Sequence, residues 1–303
     1  MAVNGYLIKK WVRMLRGKSI LHVNQGLGTQ MDVSQIRGYY NDLTEKVIRD
    51  EANVSNVSYI PQFETASGEC VYFPVMIFQY ALGCYDLYLE TSDTLYLEKF
   101  KTCVNWTMEA QNENGSFDAF SFMYADAPYG AMCQGEAVSV LLRAYVSTGE
   151  ERYRTAAQKA VDFMLLSVEE GGTARYDGED VYLLEYTHLP VVLNGWLFAF
   201  FGLYDYTLVS KEEKYREILQ KTLRTMEKSL PQYDNGYWTM YDLGGKIASP
   251  FYHNLHIAQL QAAVLITDSE TAKQFEKKWL LYQKSFWNPK RAFIKKAIQK
   301  ILE

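Results

Sequence analysis

The 303-residue sequence lacks a strong excess of charge of either sign. Its 31 Lys and Arg residues nearly balance 36 Asp and Glu residues, which leaves a net charge of −5 at neutral pH. We interpret this weak charge as spread along the chain, so it gives no electrostatic footprint for phosphate groups. We therefore expect no nucleic-acid partner.

Cysteine is also scarce, and the four cysteines do not form close pairs. Cys70, Cys84, Cys103 and Cys133 are widely spaced in the first half of the chain. This spacing fits neither a zinc knuckle nor a dense disulfide framework. The glycine fingerprints of dinucleotide-binding and Walker-type phosphate loops are missing as well. We expect no metal and no nucleotide or redox cofactor.

The N-terminus lacks a long uninterrupted apolar run. Lys and Arg interrupt the apolar residues there, which predicts neither a signal peptide nor a membrane span. We expect the protein in the cytoplasm or peripherally at the inner membrane face. Helical spacing over residues 5–16 predicts a basic amphipathic helix, whose apolar residues are Leu7, Ile8, Trp11, Val12 and Leu15. This helix suits docking on the protein's own core, pairing in a homodimer, or contact with an anionic membrane.

The sequence does contain a repeated pair of helices. From residue 71, strongly apolar segments alternate with amphipathic segments rich in Glu and Lys, and the openings of the amphipathic segments recur roughly every 60 residues. The apolar segments are residues 71–90, 130–147, 189–208 and 251–266. Stacked hairpins bury such helices in an inner layer. The predicted fold is mainly α, an incomplete (α/α) toroid of about four hairpins over residues 71–303. Residues 1–70 form an N-terminal extension.

Three long loops between the helices are rich in Tyr, Gly and Asp. They read ENGSFDAFSFMYADAPYG, EGGTARYDGEDVYLLEYTHLP and PQYDNGYWTMYDLGGKIASP. The stretches VSYIPQFE and VYLLEYTH predict strands or extended segments at the rim. Long loops on a rigid scaffold often carry functional groups, and tyrosines suit stacking on sugar rings. Tyr129 and Tyr241 are therefore candidate substrate contacts, although core packing explains single tyrosines equally well.

The stretch IASPFYHNLHIAQLQ, residues 247–261, begins with a clear helix start. Ser249 is a suitable N-cap, and Pro250 suits the first helical position. The free N–H groups of a first turn favour an anion such as a carboxylate. We expect this helix start to face a cleft.

The same stretch carries polar groups where an apolar helix face is expected. Tyr252, His256 and Gln259 follow at i, i+4 and i+7, so they form one polar stripe, with His253 beside it. Three polar groups in line favour a pocket role over chance burial. The spacing of the two histidines also occurs in metal sites, but no third ligand is marked in the sequence.

Other apolar helices carry isolated polar residues. Glu136 and Arg143 lie two turns apart on one face, and the simplest explanation is that they pair with each other. Gln134, Arg143 and Asn194 are also candidate substrate contacts, since Asn194 lies in the apolar run VVLNGWLFAFF and needs partners.

Four ordered motifs resemble the C-terminal catalytic region of the D-glucuronyl C5-epimerases. They are AMCQGEAVSVLLRAY, EYTHLPVVLNGWLFAFFGLYDY, LPQYDNGYWTMYDL and YHNLHIAQLQ, in order over roughly residues 120–285. That family converts D-glucuronate to L-iduronate within heparan-type polysaccharides. The resemblance implies an isomerase, a uronyl C5-epimerase acting on a uronate-containing polymer such as heparosan.

The resemblance also implies which residues are catalytic. They are the Glu-Tyr pair before the LNG helix, Glu185 and Tyr186, and the Tyr of the YH element, Tyr252. Adjacent residues of a regular strand point to opposite faces, so Glu185 and Tyr186 share a pocket only if the backbone turns after them, near Pro190. In animal members the segment between YDL and YH is rich in Arg, whereas here it reads GGKIASPF.

Epimerisation at carbon 5 explains these residue types. The proton lies α to a carboxylate, so one group must remove it, another must return a proton to the opposite face, and the enediolate between must be stabilised. A carboxylate base and a neutral tyrosine form a workable pair, but which residue is base and which is acid stays open. Donors to the enediolate are the start of the 250s helix, His253, His256, Asn194 or Lys246. No cofactor is required.

Three alternatives remain from the residues. A polysaccharide lyase begins with the same proton abstraction and then expels the group at carbon 4. A glycoside hydrolase needs two carboxyl groups flanking the scissile bond, whereas only Glu185 stands out. A non-catalytic helical-repeat scaffold would show a repeated binding stripe, whereas the polar residues here occupy non-equivalent positions.

Overall fold

Four helical hairpins follow one another in the computed structural model, which describes residues 22–302. The inner helices are α2 (Pro74–Thr91), α4 (Ala131–Thr148), α6 (Leu193–Val209) and α8 (Pro250–Thr267); the outer helices are α3 (Thr94–Ala110), α5 (Glu151–Leu165), α7 (Glu213–Ser229) and α9 (Glu270–Lys284). Short helix α1 (Glu45–Ile48) precedes them, and α10 (Asn288–Leu302) follows. The helix predicted over residues 5–16 lies outside the described residues. Within residues 22–302, no helix combines the length and apolar composition needed to cross a bilayer.

The hairpins are arranged in two layers. Each outer helix packs on the inner helix before it, and each inner helix packs against the inner helix of the next hairpin. The inner helices are buried almost all round, while outer helices such as α7 bury one stripe only. This is the layering of an (α/α) toroid, as the alternation of segments predicted. Because every hairpin returns the chain, the inner helices run parallel and their N-termini lie at one end.

Two glycines bring α4 and α6 into close contact. A Cβ atom on Gly135 would lie 2.6 Å from Cα of Ala199, and one on Gly202 would lie 2.2 Å from the backbone oxygen of Gly135. Any side chain at either position would therefore force the backbones apart. The two central hairpins form a tightly joined pair.

Two short antiparallel hairpins complete the secondary structure. Strand β1 (Phe63–Glu64) pairs with β2 (Cys70–Val71), and β3 (Ala174–Asp177) pairs with β4 (Asp180–Leu183), with Ala174 opposite Leu183. The predicted extended stretches overlap β1 and β4. Just after β4, the oxygen of Leu184 accepts a 2.7 Å hydrogen bond from the N–H of Ala131. The chain therefore leaves β4 at the N-terminal end of α4.

The described part of the N-terminal segment closes the other end of the inner layer. Tyr39, Tyr40, Leu43 and Val47 are fully buried in the same core as the inner helices. Tyr39 donates its backbone N–H to Asp86 near the end of α2, at 3.0 Å. A separate extension ending at residue 70 stays a prediction, and its described residues contribute to the toroid's core.

Candidate active site

Glu185 lies between the starts of two inner helices. A Cβ atom on Gly195 would lie 2.3 Å from Oε2 of Glu185, and one on Gly130 would lie 2.1 Å from its backbone oxygen. Only glycine leaves room for this residue on both sides. Its side chain is buried, and this desolvation raises the pKa of the Glu185 carboxyl to about 7, against a lowering effect of the Tyr186 hydroxyl. Near neutral pH the carboxyl can both hold and release a proton.

Asn194 contacts this carboxyl from the first turn of α6. Its Nδ2 donates to Oε2 of Glu185 at 3.4 Å, whereas its own Oδ1 is buried without a hydrogen-bond partner among the described residues. Gln259 of α8 donates to the backbone oxygen of Asn194 at 3.1 Å, and its Oε1 also has no partner in the described part of the chain. Buried acceptors without partners are rare and point to a missing donor such as a ligand hydroxyl or water.

Three tyrosines surround Glu185. Burial is the main cause that raises the pKa values of Tyr186, Tyr241 and Tyr252, and the negative charge of Glu185 raises all three further. The rings of Tyr241 and Tyr252 lie 4.8 Å apart between centroids. The structure thus brings together the three residues that the resemblance marks as catalytic, with Tyr241 beside them. At neutral pH these tyrosines are uncharged proton donors.

Local backbone contacts hold Tyr241 and Tyr252 in place. The N–H of Leu193 donates to the oxygen of Tyr241 at 3.2 Å, which ties the loop to the start of α6. Ser249 caps α8 by accepting from the N–H of Tyr252 at 3.4 Å, with Pro250 in the first turn, as predicted from sequence. Tyr252 therefore projects from the first turn of an inner helix.

A wall of aromatic residues lies next to Tyr186 and was not singled out from the sequence. Phe120 and Tyr124 lie 4.7 and 5.8 Å from the Tyr186 ring, and Tyr124 contacts His188 at 4.6 Å. These residues belong to two of the three predicted rim loops. Their aromatic content is the only sequence signal for them. Flat faces of this kind can support sugar rings.

The two histidines of α8 share one hydroxyl group. Thr239 Oγ1 lies 3.0 Å from Nδ1 of His253 and 3.2 Å from Nδ1 of His256. Nε2 of His253 lies 3.2 Å from the oxygen of Trp279, so it carries the proton, and Thr239 donates to His253 and accepts from His256. Burial lowers both pKa values to about 3, so both rings are neutral. The Thr239 hydroxyl therefore joins the two imidazole rings through their Nδ1 atoms.

His253 is a packing residue in this structure. Its ring stacks on Trp238 at 3.6 Å between centroids, and both of its nitrogens have partners within the chain. We therefore remove His253 from the candidate substrate contacts. His256 keeps one buried nitrogen, Nε2, without a partner among the described residues.

Arg143 pairs with a different residue from the one predicted. Its guanidinium pairs with the carboxylate of Asp205 on α6, at 2.7 Å, and not with Glu136. It also donates to the backbone oxygen of Gly38 at 2.9 Å. Glu136 instead accepts from Gln79 at 2.7 Å. The pairing within one helix was wrong, because the carboxylate of the neighbouring helix lies closer. Arg143 sits near the C-terminal ends of the inner helices, away from Glu185 in the layer.

The remaining candidates lie in the first turn of α4 or in the loops before α4 and α8. Gln134 holds the loop before α4, since its Oε1 accepts from the N–H of Phe117 at 3.2 Å. Tyr129 packs edge-on against Phe163 of α5, with centroids 5.0 Å apart. Lys246 is exposed in the turn before α8. Within residues 22–302, no group of three or more His, Cys, Asp or Glu side chains could hold a metal ion.

The starts of the inner helices favour an anionic ligand. None of α2, α4, α6 and α8 has an acidic residue in its first turn, while α5, α7 and α9 of the outer layer do. The starts of α4 and α6 beside Glu185, and the start of α8 at Tyr252, therefore direct positive dipole ends towards the site. A carboxylate bound there gains stabilisation without a basic side chain.

Known proteins resemble the chain over the region that builds this site. The family described as the D-glucuronyl C5-epimerase C-terminus matches residues 101–281. The chain is 26% identical to the D-glucuronyl C5-epimerase of Caenorhabditis elegans over 212 residues, which cover 60% of this chain and 34% of the nematode protein. It is 28% identical to an uncharacterized protein of Methanocaldococcus jannaschii over 186 residues, or 57% of this chain and 60% of that protein.

A solved structure with a related outline is the unsaturated glucuronyl hydrolase from Bacillus sp. GL1. It has a TM-score of 0.48 at 11% identity, covering 79% of this chain and 66% of that chain. This similarity is too low to support an argument about activity. The family match, in contrast, covers more than half of the sequence. The chain therefore belongs to the D-glucuronyl C5-epimerase C-terminus family.

Proposed function

We propose that the chain is a uronyl C5-epimerase, which interconverts D-glucuronate and L-iduronate residues in a polysaccharide of the heparosan type. The observation that carries this proposal is a buried carboxyl, Glu185, with a pKa raised to about 7, between neutral tyrosines. An epimerase needs a base and an acid on opposite faces of one carbon atom, and this cluster offers both.

Glu185 is the base in the direction that starts from glucuronate. Its raised pKa brings its proton affinity closer to that of the carbon acid, so it removes the carbon-5 proton more readily than an exposed carboxylate does. The breaking C–H bond leaves its electron pair in an enediolate. The amide of Asn194 holds the carboxyl in place through Oε2.

A tyrosine returns the proton on the other face. Tyr252 is the donor in this proposal, because it lies on α8 while Glu185 lies on the approach to α6. The raised pKa of Tyr252 makes the hydroxyl a donor and a poor resting base, so the starting epimer that suits this resting state is glucuronate. Tyr186 and Tyr241 remain neutral hydrogen-bond donors around the reacting carbon.

Charge on the substrate is stabilised by backbone and amide groups. The enediolate carries more negative charge than the bound carboxylate, and the positive dipole ends of α6 and α8 stabilise it. The aromatic residues Phe120, Tyr124 and Tyr186 give a surface on which neighbouring sugar rings can rest. None of these steps needs a group from outside the chain.

The test is isotope exchange at carbon 5. Glucuronate and iduronate polymers are incubated separately with the protein in heavy water, and deuterium at carbon 5 is read by NMR. We expect exchange with retention of the polymer chain. An unsaturated uronide, seen as new absorbance, would assign the protein as a lyase, and absence of exchange with every uronate polymer would refute proton abstraction.

Tyr252→Phe deletes one hydroxyl from the proposed donor. We expect turnover to fall by about 10²–10⁴-fold while polymer binding and the unfolding transition stay near wild type. Tyr145→Phe, near the C-terminal end of α4 and away from Glu185, is the matched control and should leave turnover unchanged. Wild-type exchange by Tyr252→Phe from both epimers would remove this hydroxyl from the mechanism.

A further inference from the structure

Basic residues are concentrated at the end of the chain, although the net charge suggested an even spread. The segment 284–302 contains no Asp or Glu, and its basic residues are Lys284, Lys290, Arg291, Lys295, Lys296 and Lys300. The other 25 basic residues stand against all 36 acidic ones, so the rest of the chain carries a charge of −11. One segment therefore has the opposite sign to the body of the protein.

The same segment exposes large apolar side chains. Phe286 is 68% exposed, Trp287 is 71% exposed, and on α10 Ile294 and Ile298 are 59% and 52% exposed. Phe286 and Trp287 contact each other at 5.1 Å between ring centroids. Single exposed apolar residues are common, but a cluster of this kind marks an interaction surface.

Helix α10 uses its opposite face to pack on the protein. Ala292 is fully buried in a cluster with Trp238 and Ile247. Gln299 accepts from the N–H of Ile247 at 3.0 Å and donates to the oxygen of Gly245 at 3.0 Å. Ala292 and Gln299 are seven residues apart and so lie on the same side of α10, and this side faces the loop before α8. Ile294 and Ile298 therefore point away from the protein.

Basic side chains border the outward apolar stripe. Lys290 lies over the Phe286 ring at 3.4 Å, and Lys295 is exposed on the helix next to Ile294. Pro250, Pro289, Lys290, Phe293 and Ile294 line a shallow open groove of about 520 Å³ beside this stripe. Aliphatic and aromatic residues flanked by Lys and Arg are the pattern of a helix that lies in a membrane interface.

We propose that α10 and the preceding Phe286–Trp287 pair form a docking surface for an anionic lipid bilayer. Phe286, Trp287, Ile294 and Ile298 enter the boundary between headgroups and acyl chains, and Lys290 and Lys295 face the lipid phosphates. The acidic residues of the rest of the chain are repelled by the same lipid surface, which favours an orientation with this side towards the bilayer. This proposal does not depend on the reaction assigned to the cleft.

Charge and chemistry favour a bilayer over other occupants. The chain's own segment 5–16 is basic too, so it is repelled by α10. A second copy that pairs through the same surface on both subunits would bring two basic helices together. A polyanionic sugar chain would use the basic residues but would leave the isoleucines and Trp287 in water. A lipid surface satisfies both kinds of group.

The experiment measures partition of the full-length protein onto vesicles. Wild type should co-sediment with phosphatidylglycerol-containing vesicles, less strongly at high salt, and not with pure phosphatidylcholine. Lys290→Glu/Lys295→Glu should lower the partition coefficient by about 100-fold, and Ile294→Ser/Ile298→Ser by about 10-fold or more. Matched controls are Lys211→Glu and Val146→Ser, at exposed positions elsewhere, which should bind like wild type.

Insertion of Trp287 gives a second readout that does not depend on a destabilising variant. Brominated acyl chains should quench the fluorescence of the wild type, and Trp287→Phe should lose that quenching. Equal binding by the α10 variants and wild type would overturn the proposal. Displacement of the protein from vesicles by a soluble uronate polymer would assign the surface to the polymer. If the wild type were a dimer without lipid and the same variants were monomers, the surface would be assigned to a second copy.

Discussion

The two ends of the inner helix layer both bury charged residues, but they differ in the partners that surround those residues. At the C-terminal end, Arg143 pairs with Asp205 at 2.7 Å, and the Tyr40 hydroxyl donates to the same carboxylate at 2.6 Å. At the N-terminal end, Glu185 accepts a 3.4 Å hydrogen bond from Asn194 and interacts with the Tyr186 hydroxyl, but no cation is among the causes that shift its pKa, and the Oδ1 atom of Asn194 has no partner among the described residues.

This difference separates a structural charge from a reactive one. A buried ion pair supported by further hydrogen bonds keeps both groups ionised and ties distant segments together. A buried carboxyl without a cation has its pKa raised and binds a proton near neutral pH. The sequence around Arg143, Asp205 and Glu185 does not show which of these residues is structural and which is reactive. Their partners in the structure make that distinction.

Among the tests of the two ends of the layer, Glu185→Gln is expected to have the largest effect on activity. The amide keeps the shape of the side chain but cannot accept the carbon-5 proton, so deuterium exchange should fall by about 10²–10⁴-fold. NMR of polymer incubated in heavy water measures it. Glu179→Gln, in the exposed turn between β3 and β4, is the control. Unchanged exchange by Glu185→Gln would assign the base elsewhere.

At the other end, Arg143→Met should act on stability. Removal of the guanidinium leaves Asp205 buried without its cation, so the free energy of unfolding should fall by about 3–5 kcal/mol. Chemical denaturation measures this loss, and the folded fraction should keep wild-type exchange. The double variant Arg143→Met/Asp205→Leu should recover most of the stability. A loss of exchange in fully folded Arg143→Met would place both ends in one functional unit.

The smallest effect concerns pH. Burial raises the pKa of Glu185 from an unfolded value of 4.5 to about 7, so its stabilising protonation is complete below about pH 4.5 and is lost as pH rises through about 7. Glu185→Gln removes this dependence, and its effect on the titration of the buried Glu136 is secondary, because the charge of Glu185 is the smallest of the causes that shift the pKa of Glu136. The stability of the variant relative to wild type should therefore rise by up to about 3 kcal/mol between pH 4 and pH 8. If the free energies of unfolding of the variant and the wild type depended on pH in the same way, the Glu185 carboxyl would be an ordinary, solvated group.

Local signals in the sequence predicted the helices well. The alternation of apolar and amphipathic segments predicted the four inner helices to within a few residues, and Ser249 with Pro250 predicted the start of α8. These features depend on residues within a few positions of one another. Tertiary contacts were not accessible in the same way. Asp205 lies 62 residues from Arg143, so no spacing rule could select it over Glu136.

The candidate site was predicted where residue types were unusual and missed where they were common. Glu185, Tyr186 and Tyr252 were identified through a family resemblance, and their proximity required a turn after β4 that sequence alone only suggested. His253 looked like part of a polar stripe, but Trp238 and Thr239 enclose it in the structure. Phe120 and Tyr124 gave no signal beyond an aromatic-rich loop.

The close contact of α4 and α6 determines which parts of the cleft can move relative to one another. Gly135 and Gly202 lock these two helices together, and Glu185 is seated on the glycines at their starts. Tyr252 belongs to α8, which meets α6 through the hydrogen bond from Gln259 to the backbone of Asn194. The base and the proposed donor thus stand at the starts of neighbouring inner helices, which are joined by this hydrogen bond and by the bond from the N–H of Leu193 to the oxygen of Tyr241. A substitution at this contact would change the distance between Glu185 and Tyr252 without changing either residue.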